Sequence, residues 1–494
     1  MRRPPLSTSR TVQARRSDRS RSSRATRYLA LAQPGRLSPT LRLSVAVALL
    51  AAAILDACAG YEPKPLPERP DFKSSVLDLA ADSSRISLPD SARYRFDPSD
   101  GLDMTAVATL AVVNNPDLKL ARDRAGVAGA EAFAAGLLPD PQLSLARDFP
   151  LDPSPALASA YNLGLSYDLS ALVGHAAGRR AAEARAHQAN LDLLWQEWQV
   201  VAQARLLFVQ ATTEEQLVKL LHVEKELFQE RADRAQAALA AGNLAIGEVS
   251  AYLSAVQGTD KQINDLERQA SGTRYDLNAL LGFAPQVHLD LIGSARLTPL
   301  DRAAALAALP ELPHRRPDLL ALQAGYRAQE ERLRQAVLAQ FPALNVGFTR
   351  ARDNTNINSR GFAVTITLPI FNRGRGAVAT QTATRQRLYD EYQIRLNATY
   401  SDVHRILDNE TLLQAQREAL DANLARLHML VARADAAYRS KAIDVLQYVN
   451  FRAALIASEI EDANLQSAQL GQRIALATLV GGELSVQQSE IPQR

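Results

Sequence analysis

The sequence predicts a mainly α-helical protein with a β-barrel part, and three observations predict it. One unit is written twice, with landmarks 201 residues apart. Two segments, 179–241 and 377–470, contain neither Gly nor Pro. Each unit also carries two strands of alternating polarity ahead of its breaker-free segment.

Internal periodicity decides architecture before any motif does. Pro116-Asp117-Leu118 recurs as Pro317-Asp318-Leu319, and Pro141-Gln142-Leu143-Ser144-Leu145 recurs in kind as Pro342-Ala343-Leu344-Asn345-Val346, both at an offset of 201. Farther on, Leu239-Ala240-Ala241-Gly242 faces Tyr438-Arg439-Ser440-Lys441, and Leu280-Leu281-Gly282 faces Leu479-Val480-Gly481, both at 199, so a two-residue indel lies between. The unit reads helix, strand, loop, strand, very long helix, turn, helix. In the first copy helix is predicted over 104–135, strand over 141–148 and 160–170, and helix over 176–240 and 246–281. The second copy lies at 316–340, 342–350, 361–371, 377–440 and 443–480. The domain plan is a leader over 1–57, an extension and belt over 58–100, the first repeat over 101–284, a linker over 285–315, the second repeat over 316–482 and a tail over 483–494. The Pro-rich stretches 60–100 and 284–315 are weakly patterned and suit a belt around the helices.

The long helices rest on missing breakers where a globular protein would turn. Some 60 residues at 1.5 Å each make a rod of roughly 90 Å. Leu191, Leu194, Trp198, Val201, Ala204 and Phe208 recur at helical spacing, and abundant Ala between such positions predicts closely packed helices.

The strands have two unlike faces. Leu143 and Leu145, then Tyr161, Leu163, Leu165, Tyr167 and Leu169, then Leu344, Val346 and Phe348, then Phe362, Val364, Ile366, Leu368 and Ile370 lie on one side. Gln142, Ser144, Asn162, Gly164, Ser166, Asp168, Asn345, Gly347, Thr349, Thr365 and Thr367 lie on the other. In a soluble protein such a sheet would cover a core. Here little else is available at that end, and alternation over strands of about 9 to 11 residues suits a transmembrane barrel, lipid on one side and a water-filled lumen on the other. An open edge cannot persist in lipid, and four strands cannot close where about eight is the minimum, so several chains must contribute. The loops 148–158 and 351–360 are polar and turn-rich. Asn372, Arg373, Gly374, Arg375 and Gly376 form the corner from strand into helix, with Gly174–Arg180 as its counterpart.

Charge and cysteine usage narrow the setting. Residues 1–57 hold eleven Arg against Asp18 and Asp56, a local balance of +9 within a total of +3, so the remaining body is at −6. An acidic body gives no support for nucleic-acid binding, and the Arg-rich head reads as the positive flank of an export signal. The apolar run Val45–Leu55 is too short to span a bilayer and suits a removable signal. Cys58, the single cysteine, excludes an internal disulfide. Its setting, Leu55-Asp56-Ala57-Cys58, is similar to a bacterial lipoprotein box, with Asp56 departing from the usual small or aliphatic residue. Cys58 is either an acylation site or an idle residue beside an ordinary cleavage site near Ala57.

With the duplicated units, the LPIFNRGRG corner at 368–376 and the helix-to-helix turns in view, residues 90–484 resemble the outer-membrane efflux protein (TolC-like) family. The resemblance implies a homotrimer whose four strands per chain form a 12-stranded outer-membrane barrel, continuous with a long periplasmic α-helical barrel. It implies docking on a periplasmic adaptor (membrane fusion) protein and an inner-membrane pump of the RND type. The turns Gly242-Asn243-Leu244-Ala245-Ile246-Gly247-Glu248 and Lys441-Ala442-Ile443-Asp444 would then be periplasmic tips that meet the adaptor. Lys441 stands where Gly is usual, Ile443 where a gating Arg can occur, and Gln447 and Asn450 where acids can ring the pore as a constriction. Lys441 or Arg439 paired with Glu248 is a substitute lock, against solvated surface charge as the plainer reading. The stretch 167–184 is similar to the branch serving heavy-metal pumps.

No cofactor or metal site is expected, since the seven His share no ligand spacing and the three Met are scattered. No nucleophile elbow or phosphate loop appears, so an enzyme is not expected. The rival readings are the exit duct of a type I protein secretion system and a periplasmic coiled-coil adaptor, which would lack the embedded strands.

Overall fold

The computed structural model describes residues 61–75, 101–151, 157–293 and 300–481. The leader, Cys58 and the tail lie outside the described residues, as do 76–100 and 294–299 of the two belt stretches. The chain divides after Pro70, and of the first unit only 61–70 are described, as exposed chain without regular structure. The described helices and strands all belong to the second unit.

The first repeat opens with α1 (Met104–Asn114) and α2 (Pro116–Gly136), where the sequence suggests one helix. Pro116 makes the break: it has no N–H, and it holds Asn115 outside the helical region, at φ −57° and ψ 126°. Asn115 turns the break into a cap, its Oδ1 accepting from Leu118 N at 2.9 Å. Strands β1 (Gln142–Asp148) and β2 (Ala160–Asp168) come next, then α3 (Leu169–Ala240) and α4 (Ile246–Leu281). The 72 residues of α3 make a rod of about 108 Å. The expected linker is not irregular throughout: α5 (Arg302–Ala307), a 3₁₀ turn at Leu309–Glu311 and α6 (Leu312–Arg315) occupy it. The second repeat continues with α7 (Pro317–Leu338), β3 (Ala343–Arg352), β4 (Asn358–Thr367), α8 (Arg375–Arg439) and α9 (Val445–Val480).

The four strands form one antiparallel sheet in the order β1-β2-β3-β4, leaving β1 and β4 as edges. Leu143 stands opposite Leu165, Leu165 opposite Phe348, and Phe348 opposite Phe362, so the apolar residues of all four strands share a face.

Three sets of boundaries correct the sequence reading. The 351–360 loop is shorter than expected, since β3 runs on to Arg352 and β4 already begins at Asn358. Leu169, counted with the strand, is the first residue of α3, because Asp168 caps the helix by accepting from Ser170 N at 2.9 Å. The Gly174–Arg180 segment is therefore no corner but lies inside α3. Its glycines lie against α7, where a Cβ on Gly178 would come within 3.0 Å of Gln335 Nε2. In the second repeat β4 ends at Thr367, two residues before Pro369, which has no N–H to give a ladder. Leu368 and Ile370 thus extend the apolar run beyond the paired strand.

Helix α3 packs on α2, α4, α7 and α9, and α8 packs on α7 and α9. About midway along the long helices sit two cores. Leu118, Ala204, Phe208 and Leu277 belong to the first, and Leu319, Val403, Leu407 and Leu476, their equivalents at offsets of 201 and 199, belong to the second. Part of the belt is tied to the first core's rim, with Lys73 N donating to Gly282 O at 3.1 Å and Ala284 N to Lys73 O at 2.9 Å.

The repeats diverge at one buried spot. Arg316, the counterpart of Asn115, is 2% exposed and forks onto Asp318 through Nε at 2.8 Å and Nη2 at 2.6 Å. Its guanidinium lies 4.9 Å from the Trp195 ring centre, and Arg395 reaches Asp318 at 3.4 Å. Burial, and then the Asp318 charge, pushes the Asp192 carboxyl up. Asp117, the sequence twin of Asp318, is exposed. Asp318→Ala should therefore strand a buried guanidinium and cost about 3–5 kcal/mol. Asp117→Ala should cost less than about 1 kcal/mol, the worth of an acid in a first helical turn. Chemical unfolding of the detergent-solubilised variants, read by helix circular dichroism, compares the two.

Candidate functional site

Two surfaces carry the predicted site residues: the sheet with its corners, and the turns between paired long helices. On the sheet, Leu145 and Phe362 are 75% and 73% exposed, and Leu143, Leu165, Phe348, Val364 and Ile366 are exposed beside them. A free sheet with so much apolar surface would aggregate in water. The opposite face is the crowded one. A Cβ on Gly164 would stand 2.5 Å from Ser144 Oγ, and one on Gly361 would stand 3.0 Å from Thr349 Oγ1. Side chains on the inside of a curved sheet converge, so Gly, Ser, Ala and Thr belong there. Crowding therefore agrees with polarity about which side is the lumen. No helix among the described residues is long and apolar enough to cross a membrane.

The corner predicted at 372–376 is where α8 begins. Asn372 Oδ1 accepts from Gly374 N at 3.0 Å, and Arg373 and Gly374 take left-handed φ of 46° and 67°. A side chain on Gly374 would also meet Gln340 Cγ at 3.2 Å, so conformation and space both select glycine. Arg375 is the first helical residue and Gly376 comes next within the helix.

The first turn closes α3 with Gly242 N donating to Leu239 O at 2.9 Å and Asn243 N to Ala238 O at 2.8 Å, Gly242 being at φ 76°. This is the Schellman pattern. Lys441 repeats it at the end of α8, its N donating to Tyr438 O at 3.0 Å with Ala442 N donating to Ala437 O at 2.8 Å. Lys441 holds φ 60°, so the replacement of the usual Gly leaves the turn intact and strains one residue. The caps on the far side are unequal in the opposite sense. Asp444 caps α9, accepting from Gln447 N at 2.7 Å, whereas its counterpart Ala245 gives α4 no side-chain cap. Leu244 is half-buried, while Ile246, Gly247 and Glu248 are exposed.

The candidate lock is not made within one chain. Arg439 pairs with Asp435 on its own helix, and among the described residues no ion pair joins Glu248 to Lys441 or Arg439. Asn450, placed at a constriction by the sequence, accepts from Arg231 Nη1 of α3 at 2.7 Å. The Arg231 guanidinium also lies 4.1 Å from the Tyr252 ring centre, and Tyr438 stacks on Tyr448 at 4.8 Å between centres. Sequence reasoning misses both the Arg231, Tyr252 and Asn450 contacts and the Tyr438–Tyr448 stack. Only the nearness of two tyrosines to the second turn hints at them. Gln447 and Ile443 take no part in them. No group of three or more His, Cys, Asp or Glu side chains able to hold a metal occurs among the described residues.

An amphipathic four-stranded sheet with free edges, joined to helical hairpins with exposed turns, defines one subunit of a barrel-and-tunnel channel. More particularly, residues 308–482 match the outer membrane efflux protein family. The chain is 25% identical to the pyoverdine export outer membrane protein OpmQ of Pseudomonas putida, over 81% of this chain and 90% of that one. It is 25% identical to the cation efflux system protein CusC of Escherichia coli, over 34% and 38%. In fold it is similar to the outer-membrane channel OprN, with a TM-score of 0.66 at 16% identity, covering 86% of this chain and 99% of that one. It is also similar to the CmeC outer membrane channel of Campylobacter jejuni, with a TM-score of 0.65 at 15% identity over 84% and 94%. The TolC-like resemblance drawn from the repeat is thus borne out, by the family match over the whole second repeat, by sequence similarity to OpmQ over 81% of the chain, and by fold over both repeats.

The cap inequality gives a test of the turns. Ala245→Asp should stabilise the first turn by about 0.5–2 kcal/mol. Lys441→Gly should relieve the second by up to about 1 kcal/mol. Hydrogen exchange at 236–250 and 435–449 reads both locally, and no slowing in either variant would show that the caps do not limit opening.

Proposed function

We propose that the chain is the outer-membrane channel subunit of a tripartite efflux system, conducting solutes passively from a pump and adaptor to the exterior. The observation that carries this reading is the sheet, apolar and exposed on one side, small and polar on the other, with β1 and β4 unpaired. Three copies supply twelve strands, enough to close a barrel, and the edge β4 of one copy then pairs with β1 of the next. The paired long helices continue the wall into the periplasm. The turns at 242–248 and 441–444 are the adaptor-docking tips, and Cys58 is the residue to which a lipid anchor attaches.

The periplasmic adaptor reading is set aside, since the strands and the fold match channels. OpmQ and CusC differ in cargo, pyoverdine in one and cations in the other. The lumen face carries Ser, Thr, Asn and Gly with Gln142, Asp148 and Asp168 toward its ends, and among the described residues it gathers no group of three or more metal-ligating side chains.

The two sheet faces give the deciding experiment. Val364→Arg puts a charge on the apolar face and should cost about 2–4 kcal/mol if that face meets the middle of a bilayer. Thr365→Arg, one residue on, points into the lumen and should insert normally. Heat-modifiable migration of membrane-extracted protein reads the assembled fraction. Equal assembly of both variants would mean that the apolar face does not meet lipid.

A further inference from the structure

The apolar face of the sheet does not stay apolar to its end. On the same alternation that places Leu143, Leu165, Phe348 and Phe362 in one row, the next rows bring Arg350 opposite Arg360 and Leu163, and Arg352 and Arg147 opposite Tyr161. Four arginines therefore share the lipid-facing side of the strands. All lie at the end that carries the 149–159 and 353–357 connections, away from α3 and α8.

Among the described residues their surroundings leave them short of anions. Arg147 donates to Ser159 Oγ at 3.3 Å and Arg352 to Ser159 O at 3.2 Å, so two guanidinium groups converge on one neutral residue. The Arg352 Nε is buried without a partner, and Arg147 and Arg352 otherwise lie 5.0 Å over Phe149 and 5.4 Å over Tyr161. Among the described residues none of the four arginines has a carboxylate within salt-bridge distance. Of the two acids nearest in sequence, one lies on the other face and one is held by its own loop. Asp148 alternates onto the polar face, and Asp353 Oδ1 accepts from Thr355 N and Ile357 N at 2.9 Å each, which holds its own loop. Like charges directly opposite one another on a sheet, as Arg350 and Arg360 are, repel unless an anion stands between them.

Depth supplies the occupant. At 3.3 Å per residue Arg360 lies about 20 Å along β4 from Ile366, about 15 Å of height at a strand tilt of about 40°, and the exposed apolar run continues below through Leu368 and Ile370, so in an apolar belt about 25 Å tall the row falls toward the outer polar boundary. We infer that this arginine cluster binds the phosphate groups of a phosphorylated glycolipid in the outer leaflet. Guanidinium forks match phosphate oxygens two at a time, and the apolar rows beneath receive the acyl chains. A closed barrel repeats the site around its rim, and the bound lipid cancels the repulsion within each cluster.

This inference rests on the channel reading, and the test separates the two. The full chain is inserted into phosphatidylcholine vesicles containing diphosphorylated lipid A or its dephosphorylated counterpart, then extracted, with retained lipid counted by mass spectrometry and insertion scored separately by heat-modifiable migration. Inserted wild type should retain the diphosphorylated form about tenfold or more over the other, as charge-assisted hydrogen bonds predict. The R350Q/R360Q variant should insert yet lose that preference, while R350K/R360K, keeping charge without the fork, should fall between. Equal retention of the two lipids by wild type overturns the inference, whether or not the glutamine variant inserts. An unchanged preference in the inserted glutamine variant also overturns it, as does full displacement of the lipid by free inorganic phosphate. Wild type that fails to insert overturns the channel reading instead.

Discussion

The architecture answers to the backbone groups along β1 and β4 that, among the described residues, have no partner within one copy. In water such edges are an aggregation hazard, and in hydrocarbon each unpaired N–H or C=O costs several kcal/mol. Closure by other copies is the solution open to four strands, and closure fixes the rest. It curves the sheet, which crowds one face and selects Gly164, Ser144 and Gly361 there. It also sets the long helices side by side as a wall, because each strand pair leads its chain into a long helix, β2 at once and β4 through 368–374.

Much of this is legible from the residues alone. The strands keep a period of two, the helices lack breakers, and the doubling at 201 lets each copy check the other. The shorter helix of the first hairpin runs over 246–281 as its sequence predicts, since Gly242 and Gly282 punctuate it on both sides. The four strands lie within a few residues of where alternation puts them, and the pairing sorts their two faces as the polarity does.

The features hidden from the sequence depend on contacts between residues far apart. Nothing local marks Gly174 and Gly178 as helical, since glycine reads as a breaker until Gln335 of α7 is seen lying against them. Asp168 has the chemistry of a cap, yet a strand residue and a cap look alike when one element runs into the next. The short helices at 302–315 are too brief to show a period. The Arg231–Asn450 contact spans 219 residues, and the sequence assigns Asn450 by family position alone. In the identical tripeptides at 116–118 and 317–319 the leucines are buried alike, but Asp117 is exposed and Asp318 buried, where Arg316 instead of Asn115 precedes it.

The two junctions between sheet and helices are built differently, and the difference has a mechanical meaning. Asp168 passes the chain from β2 into α3 with no residue between, a fused joint, whereas β4 reaches α8 through 368–374 with two consecutive left-handed residues. Each copy thus suspends its tunnel wall from the membrane collar by one stiff strut and one articulated strut. Any change in the angle between wall and collar therefore has backbone to absorb it at 368–374 and none at 168–169.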